Sequence, residues 1–203
     1  MGTRNLTIIR SQDRTCVAQY GQWDGQLSGV GQNILDKLRE LSHEAIREAA
    51  ERVTKITQEQ INYVNSFNKT IKVTEVYGDR SFDIEEPEWK IKFPWLSRDC
   101  AGDRLLQYLV NGEVEFLTLQ EIFAADSLFC EWCYVIDFDQ RTFEVYGGFN
   151  HEPLEKNERF FYLKDKTRGD YQPVKHLATF SLDNLPTDET FLNCGSSESV
   201  LSG

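Results

Sequence analysis

Residues 18–25 read Ala18-Gln19-Tyr20-Gly21-Gln22-Trp23-Asp24-Gly25, with Gly29 and Gly31 close behind. A phenol, two primary amides, an indole and a carboxylate crowd between glycines that let backbone approach closely. A turn needs only the glycines, so these side chains exceed what turning requires. In a functional centre, Asp24 would serve as general base while Tyr20, Gln22 and Trp23 hold a ligand by stacking and hydrogen bonding. Residues 20, 22 and 24 share one face if the extended conformation persists. A packed aromatic turn, with Asp24-Gly25 as its bend, is the competing reading.

A second segment, Ser97-Arg98-Asp99-Cys100, stands just before an expected helix. An arginine beside a helix N-terminus can clamp a carboxylate or phosphate, so Arg98 and Asp99 join Asp24 as candidate catalytic residues. Cys100 has the position of an activated nucleophile, but capping by Ser97 or Asp99 with a packed thiol explains the same residues. Cys130-Glu131-Trp132-Cys133 matches a redox spacing by letter, yet it enters a strand, where residues three apart face opposite ways. No second cysteine pair accompanies it, and His43, His151 and His176 are scattered, so no metal site or cofactor is expected. Gly25, Gly29 and Gly31 fit neither the dinucleotide fingerprint nor a Walker loop. Asp137 and Asp139 sit at a hairpin end, where Glu144 and Tyr146 could share a face with Asp137.

The net charge of −11 over 203 residues weighs against phosphate-backbone binding, which rests on clustered Lys and Arg. No apolar run approaches the roughly 20 residues that cross a bilayer, and the N-terminus carries no signal-peptide core. Gly2 suggests myristoylation, but Leu6 stands where that motif wants Ser or Thr. A cytoplasmic address follows as the expectation. The five cysteines are odd in number and show no disulfide framework.

The elements that must position these residues follow from periodicity. Residues 6–10 and 15–22 read as a hairpin that delivers Tyr20, Gln22 and Trp23 to its far end. Apolar spacing gives one helix over 30–41 and a second, capped by Ser42, over 44–65. Residues 71–77 alternate as a strand before a Gly78-Asp79 turn. Residues 101–110 form a helix ended by Asn111-Gly112, and 118–125 a shorter one. A late hairpin spans 132–138 and 142–146, and a last strand 174–181. The fold class is α+β: a mostly antiparallel sheet carrying both hairpins, with a long helix pair packed on it. Residues 1–186 make one globular domain, and 187–203 a flexible tail.

The chain resembles an uncharacterised family of bacterial, phage and fungal sequences. The resemblance rests on Gly2-Thr3-Arg4-Asn5-Leu6, the 18–25 block, Leu96-Ser97-Arg98-Asp99 and the aromatic hairpin, and it covers residues 2 to about 185. Gln26-Leu27 departs from the Tyr-Pro expected there, and Cys100 replaces a common Thr. The family brings no established activity. In architecture alone the chain is similar to the N-terminal nucleophile hydrolases, which implies helix–sheet–sheet–helix layers. Their nucleophile begins the mature chain, and Thr3 would do so only after loss of Met1 and Gly2.

The expectation is an enzyme-like domain acting on a small polar molecule by hydrolysis at an amide or phosphate ester. The alternative is a non-catalytic interaction module that binds a protein partner through exposed aromatics and an acidic surface. Replacing Cys130 and Cys133 by Ala or Ser is expected to leave any activity intact. Activity lost without loss of stability would revive the redox reading.

Overall fold

Asn5–Ser11 (β1) has an apolar, β-branched centre, Leu6 to Ile9, and all but one of its residues are buried. Such a run suits a strand covered on both faces, and β1 lies inside the sheet. In the computed structural model, which describes residues 2–77, 80–100 and 102–195, β1 turns at Gln12 and Asp13, with φ of 56° and 55°. Paired left-handed residues match the twist of a tight hairpin, and Arg14–Gly21 (β2) returns antiparallel.

The chain then makes a π-type turn over Leu27–Gly31 and enters Gln32–Glu40 (α1). Ser42 caps His43–Arg52 (α2) as expected, its Oγ accepting from Ala45 N at 3.3 Å. The long second helix, however, ends there. Val53 is extended, and Thr54–Lys55 (β3) pairs parallel with a later segment. A capping box between Thr57 and Gln60 opens a separate helix, Gln58–Asn65 (α3). Thr70–Tyr77 (β4) and Arg80–Pro87 (β5) form a hairpin of their own, leading to Glu88–Lys92 (α4). The Gly78-Asp79 turn and Ala101 lie outside the described residues. Gly102–Val110 (α5) ends at Gly112, whose φ is +74°. Phe116–Leu117 (β6) is the partner of β3, and a 3-10 turn covers Glu121–Ala125.

Trp132–Asp137 (β7) and Thr142–Gly147 (β8) are the late hairpin, followed by Lys175–Ser181 (β9). The strand order is β2-β1-β7-β8-β9. β1 and β7 run parallel and every other neighbour is antiparallel, so the sheet is mixed and mostly antiparallel and holds both hairpins. Asp188–Asn193 (α6) follows, with Phe191 buried and stacked on Phe143. The expected flexible tail is therefore corrected: a buried aromatic docks residues 188–193, and 196–203 lie outside the described residues.

One face of the sheet (Ile9, Val17, Tyr134, Ile136, Phe143, Val145) packs against apolar stripes of α1, α2, α5 and α6. The other (Leu6, Ile8, Ala18, Cys133, Val135, Tyr146) is covered by the 3-10 turn at 121–125 and by Leu154, Phe160, Leu163 and Val174. No second sheet lies in that layer among the described residues, so the four-layer expectation gives way to helices, sheet and a cover of turns.

Across the sheet, buried Tyr134 donates to Gly25 O at 2.7 Å, tying β7 to the turn after β2. Tyr134→Phe is expected to cost about 1–3 kcal/mol in urea denaturation, because a buried carbonyl loses its donor. A change within about 0.5 kcal/mol would show that the turn does not depend on this bond.

Candidate functional site

Strand β2 stops at Gly21 because the chain must leave the sheet around Asn5. A Cβ on Gly25 would meet Thr3 O at 2.7 Å and Asn5 Cβ at 2.8 Å. Buried Asn5 supports this bend from below, its Nδ2 donating to Trp23 O at 3.4 Å. Asp24 takes a left-handed φ of 53°, and its carbonyl accepts from Val30 N at 2.7 Å inside the π-type turn. Asp and Asn enter that conformation more readily than bulkier residues. Gly29 is required beside it, since a Cβ there would lie 2.2 Å from Asp24 O.

The Arg98 segment meets this bend directly. Gln22 N donates to Arg98 O at 2.9 Å, and Trp23 Nε1 to Asp99 Oδ1 at 2.9 Å. Asp99 Oδ2 accepts from Lys90 Nζ at 2.9 Å and from Ser97 Oγ at 3.2 Å. The Lys90 hydrogen bond, aided by Trp23 and Ser97, holds Asp99 below the usual carboxylate range despite partial burial. With both oxygens engaged, Asp99 positions Trp23 rather than moving protons.

Between the segments opens a cleft of about 340 Å³ lined by Gln22, Trp23, Asp24, Asn33, Arg98, Asp99, Asp103 and Arg104. Trp23 is 48% exposed, and the Arg98 side chain 65%. Asp24 and Arg98 share the cleft but form no ion pair. Arg98 instead lies 4.0 Å from Asp99 Oδ1. Tyr20 is absent from the lining, because it packs edge-on against Phe123 at 4.9 Å and donates to Gln22 Oε1. The expected shared face of Tyr20, Gln22 and Asp24 ends where the strand ends. Asn33, Asp103 and Arg104 are the lining residues that strand alternation and the Arg98 motif missed. They come from α1 and α5, and only the tertiary fold brings them in.

Burial weighs against a reactive thiolate at these cysteines. Cys16, Cys130, Cys133 and Cys194 are free, and burial pushes Cys100 up to about 12. Cys130 and Cys133 do not face opposite ways: both pack in the core beneath the turn cover, because Cys130 precedes the strand. Burial raises both thiols, so neither is a ready thiolate. No metal-binding cluster of His, Cys, Asp and Glu occurs among the described residues.

A larger cleft of about 680 Å³ lies at the opposite end of β1. Register aligns Arg10 with Asp137, Glu144 with Thr179, and Tyr146 with His176 on one face. Arg159 bridges both carboxylates, donating from Nη2 to Asp137 Oδ2 at 2.7 Å and from Nε to Glu144 Oε2 at 2.8 Å. Tyr146 Oη donates to Glu144 Oε2, and Thr142 Oγ1 to Glu144 Oε1 at 3.0 Å. Asp137 Oδ1 accepts from Gln140 N at 3.0 Å. These buried groups answer one another, so they fasten the covering loop to the sheet and leave little for a ligand. Burial alone would raise Glu144, but Arg159, Tyr146 and Thr142 outweigh it and hold the carboxyl below its ordinary value.

A lowered carboxyl adds stability that is present above its unfolded pKa and lost as pH falls through the folded one. Arg159→Met is expected to cost about 3–5 kcal/mol at neutral pH, by leaving buried carboxylates uncompensated. The deficit should shrink with falling pH, beginning above the ordinary value of 4.5, where buried Glu144 without Arg159 is already protonated in the variant, and ending below it, where Glu144 is protonated in both proteins. Denaturant melts between neutral and acidic pH check this, and a deficit constant with pH would contradict it. No protein-family model matches the chain, and no curated protein or solved structure matches it.

Proposed function

We propose that the chain is an enzyme-like domain whose cleft between residues 21–24 and 98–104 acts on a small polar molecule, by hydrolysis of an amide or phosphate ester. Asp24 accepts a proton from water as the water oxygen adds to the carbonyl carbon or phosphorus. Arg98 hydrogen-bonds to the oxygen that gains negative charge, and the departing amine or alcohol takes up the proton. Trp23 supplies a stacking wall, fixed in orientation by Asp99. One observation carries this reading: Asp24, with no ion pair among the described residues, and the exposed Arg98 guanidinium line the same cleft. Such groups cost nothing to leave in water and are available to a ligand. The alternative, an interaction module, draws on the exposure of Trp23, but an indole anchored at its nitrogen over a polar cleft suits a small ligand better.

Asp24→Asn keeps a residue that tolerates positive φ, so its melting temperature should be nearly unchanged while turnover or ligand binding is lost. Arg98→Ala should behave alike. The assay is release of phosphate or ammonia from a panel of phosphate monoesters and primary amides, beside thermal melts. If Asp24 serves only the turn, Asp24→Asn instead costs about 1–3 kcal/mol of stability with no selective loss of function.

A further inference from the structure

The polar groups of the smaller cleft that lack protein partners describe a molecule by its complement. Asp103 lines the cleft with a carboxylate whose Oδ1 is buried and has no hydrogen-bond partner, which adds negative charge there. The Asp24 carboxylate offers an accessible acceptor. Gln22 gives its Oε1 to Tyr20, which leaves the Nε2 hydrogens to the cleft, and Asn33 contributes an exposed amide. Arg98 and Arg104 are exposed, with Arg104 bonded to the Asp99 carbonyl among the described residues. Trp23 offers a flat, half-exposed ring whose orientation the Asp99 bond fixes. The partner that satisfies all of these has a planar ring, hydroxyl or amine donors, and an anionic group.

We infer that the cleft takes a nucleoside monophosphate. The base stacks on Trp23 and meets the Gln22 and Asn33 amides at its edge, as amides pair with base edges elsewhere. The ribose hydroxyls donate to Asp24. The phosphate lies on Arg98 and Arg104, whose planar donors suit phosphate oxygens. At about 340 Å³ the cleft falls at the small end of ligand pockets, which suits one nucleotide and not two. The formal charges of Asp24, Asp99 and Asp103 oppose those of Arg98 and Arg104, and Lys90 offsets Asp99, so the cleft as a whole does not repel an anion. This identification rests on the same cleft being the functional site.

The test is calorimetric titration of the full chain with adenosine monophosphate, adenosine, ribose 5-phosphate and inorganic phosphate. The monophosphate should bind at least about tenfold tighter than adenosine or ribose 5-phosphate, since each lacks one anchor. Trp23→Ala should reduce it to the level of ribose 5-phosphate, and Arg98→Ala to the level of adenosine. Trp23→Phe keeps a stacking face and should retain most of the affinity, which separates stacking from damage to the fold. A monophosphate that binds no tighter than ribose 5-phosphate overturns the nucleotide assignment. If the sugar phosphate still binds and Asp24→Asn abolishes that binding, the site itself stands. Absence of binding by all four compounds overturns the nucleotide assignment, while turnover of another ester or amide that is lost in Asp24→Asn would still uphold the cleft.

Discussion

The parallel ladder between β1 and β7 governs the rest of the molecule. It runs from Asn5 opposite Trp132 to Arg10 opposite Asp137, and joins two hairpins that are far apart in sequence. A strand buried on both faces tolerates polar side chains only at its ends or where they find partners, and β1 obeys this unevenly. Its middle, Leu6 to Ile9, is sealed by helices on one side and turns on the other, with Thr7 the polar exception. Its first residue is an amide that props the bend at Gly21–Gly25. Its sixth, Arg10, meets the Asp137 carboxylate at the other end. Each end of this strand thus underlies a cleft.

The two clefts differ in whether their polar groups are already answered. At the Arg10 end, Asp137, Glu144, Tyr146 and Arg159 consume one another's hydrogen bonds in a buried network, which is costly to break and adds little to ligand recognition. At the Asn5 end, the Asp103 oxygen, the Asp24 carboxylate and the Arg98 guanidinium have little or no claim on them. The larger cavity is therefore the better buttressed one and the smaller is better placed for binding.

The sequence displayed much of this arrangement. Alternation in 132–138 and the β-branched run at 6–10 identified the sheet, and the glycine-bracketed aromatic block identified the bend. Asp24 and Arg98 stood out as chemistry-bearing residues, and the two line one cleft without an ion pair between them. Legibility failed where local pattern and tertiary demand part. Apolar residues keep helical spacing from Ala45 to Val64, yet Val53-Thr54-Lys55-Ile56-Thr57 is rich in β-branched residues and gains a ladder with Phe116 and Leu117. The Thr57–Gln60 capping box was present in the letters and marks the restart. Tyr20 misled because alternation holds only while the strand lasts, and β2 ends one residue later. Asn33, Asp103 and Arg104 carry no motif, and neither does the reach of Arg159 from a loop to two strands.

The cleft lined by Trp23 is proposed to hold a small molecule through Asp24 and Arg98. Native mass spectrometry of the protein gently purified from cells tests it most directly, with Arg98→Ala and Asp24→Asn prepared in parallel. The expected result is a single non-covalent small-molecule adduct on the parent chain, diminished or absent in both variants while their charge-state distributions stay those of a folded protein. An adduct that persists undiminished in both variants would contradict binding through Asp24 and Arg98.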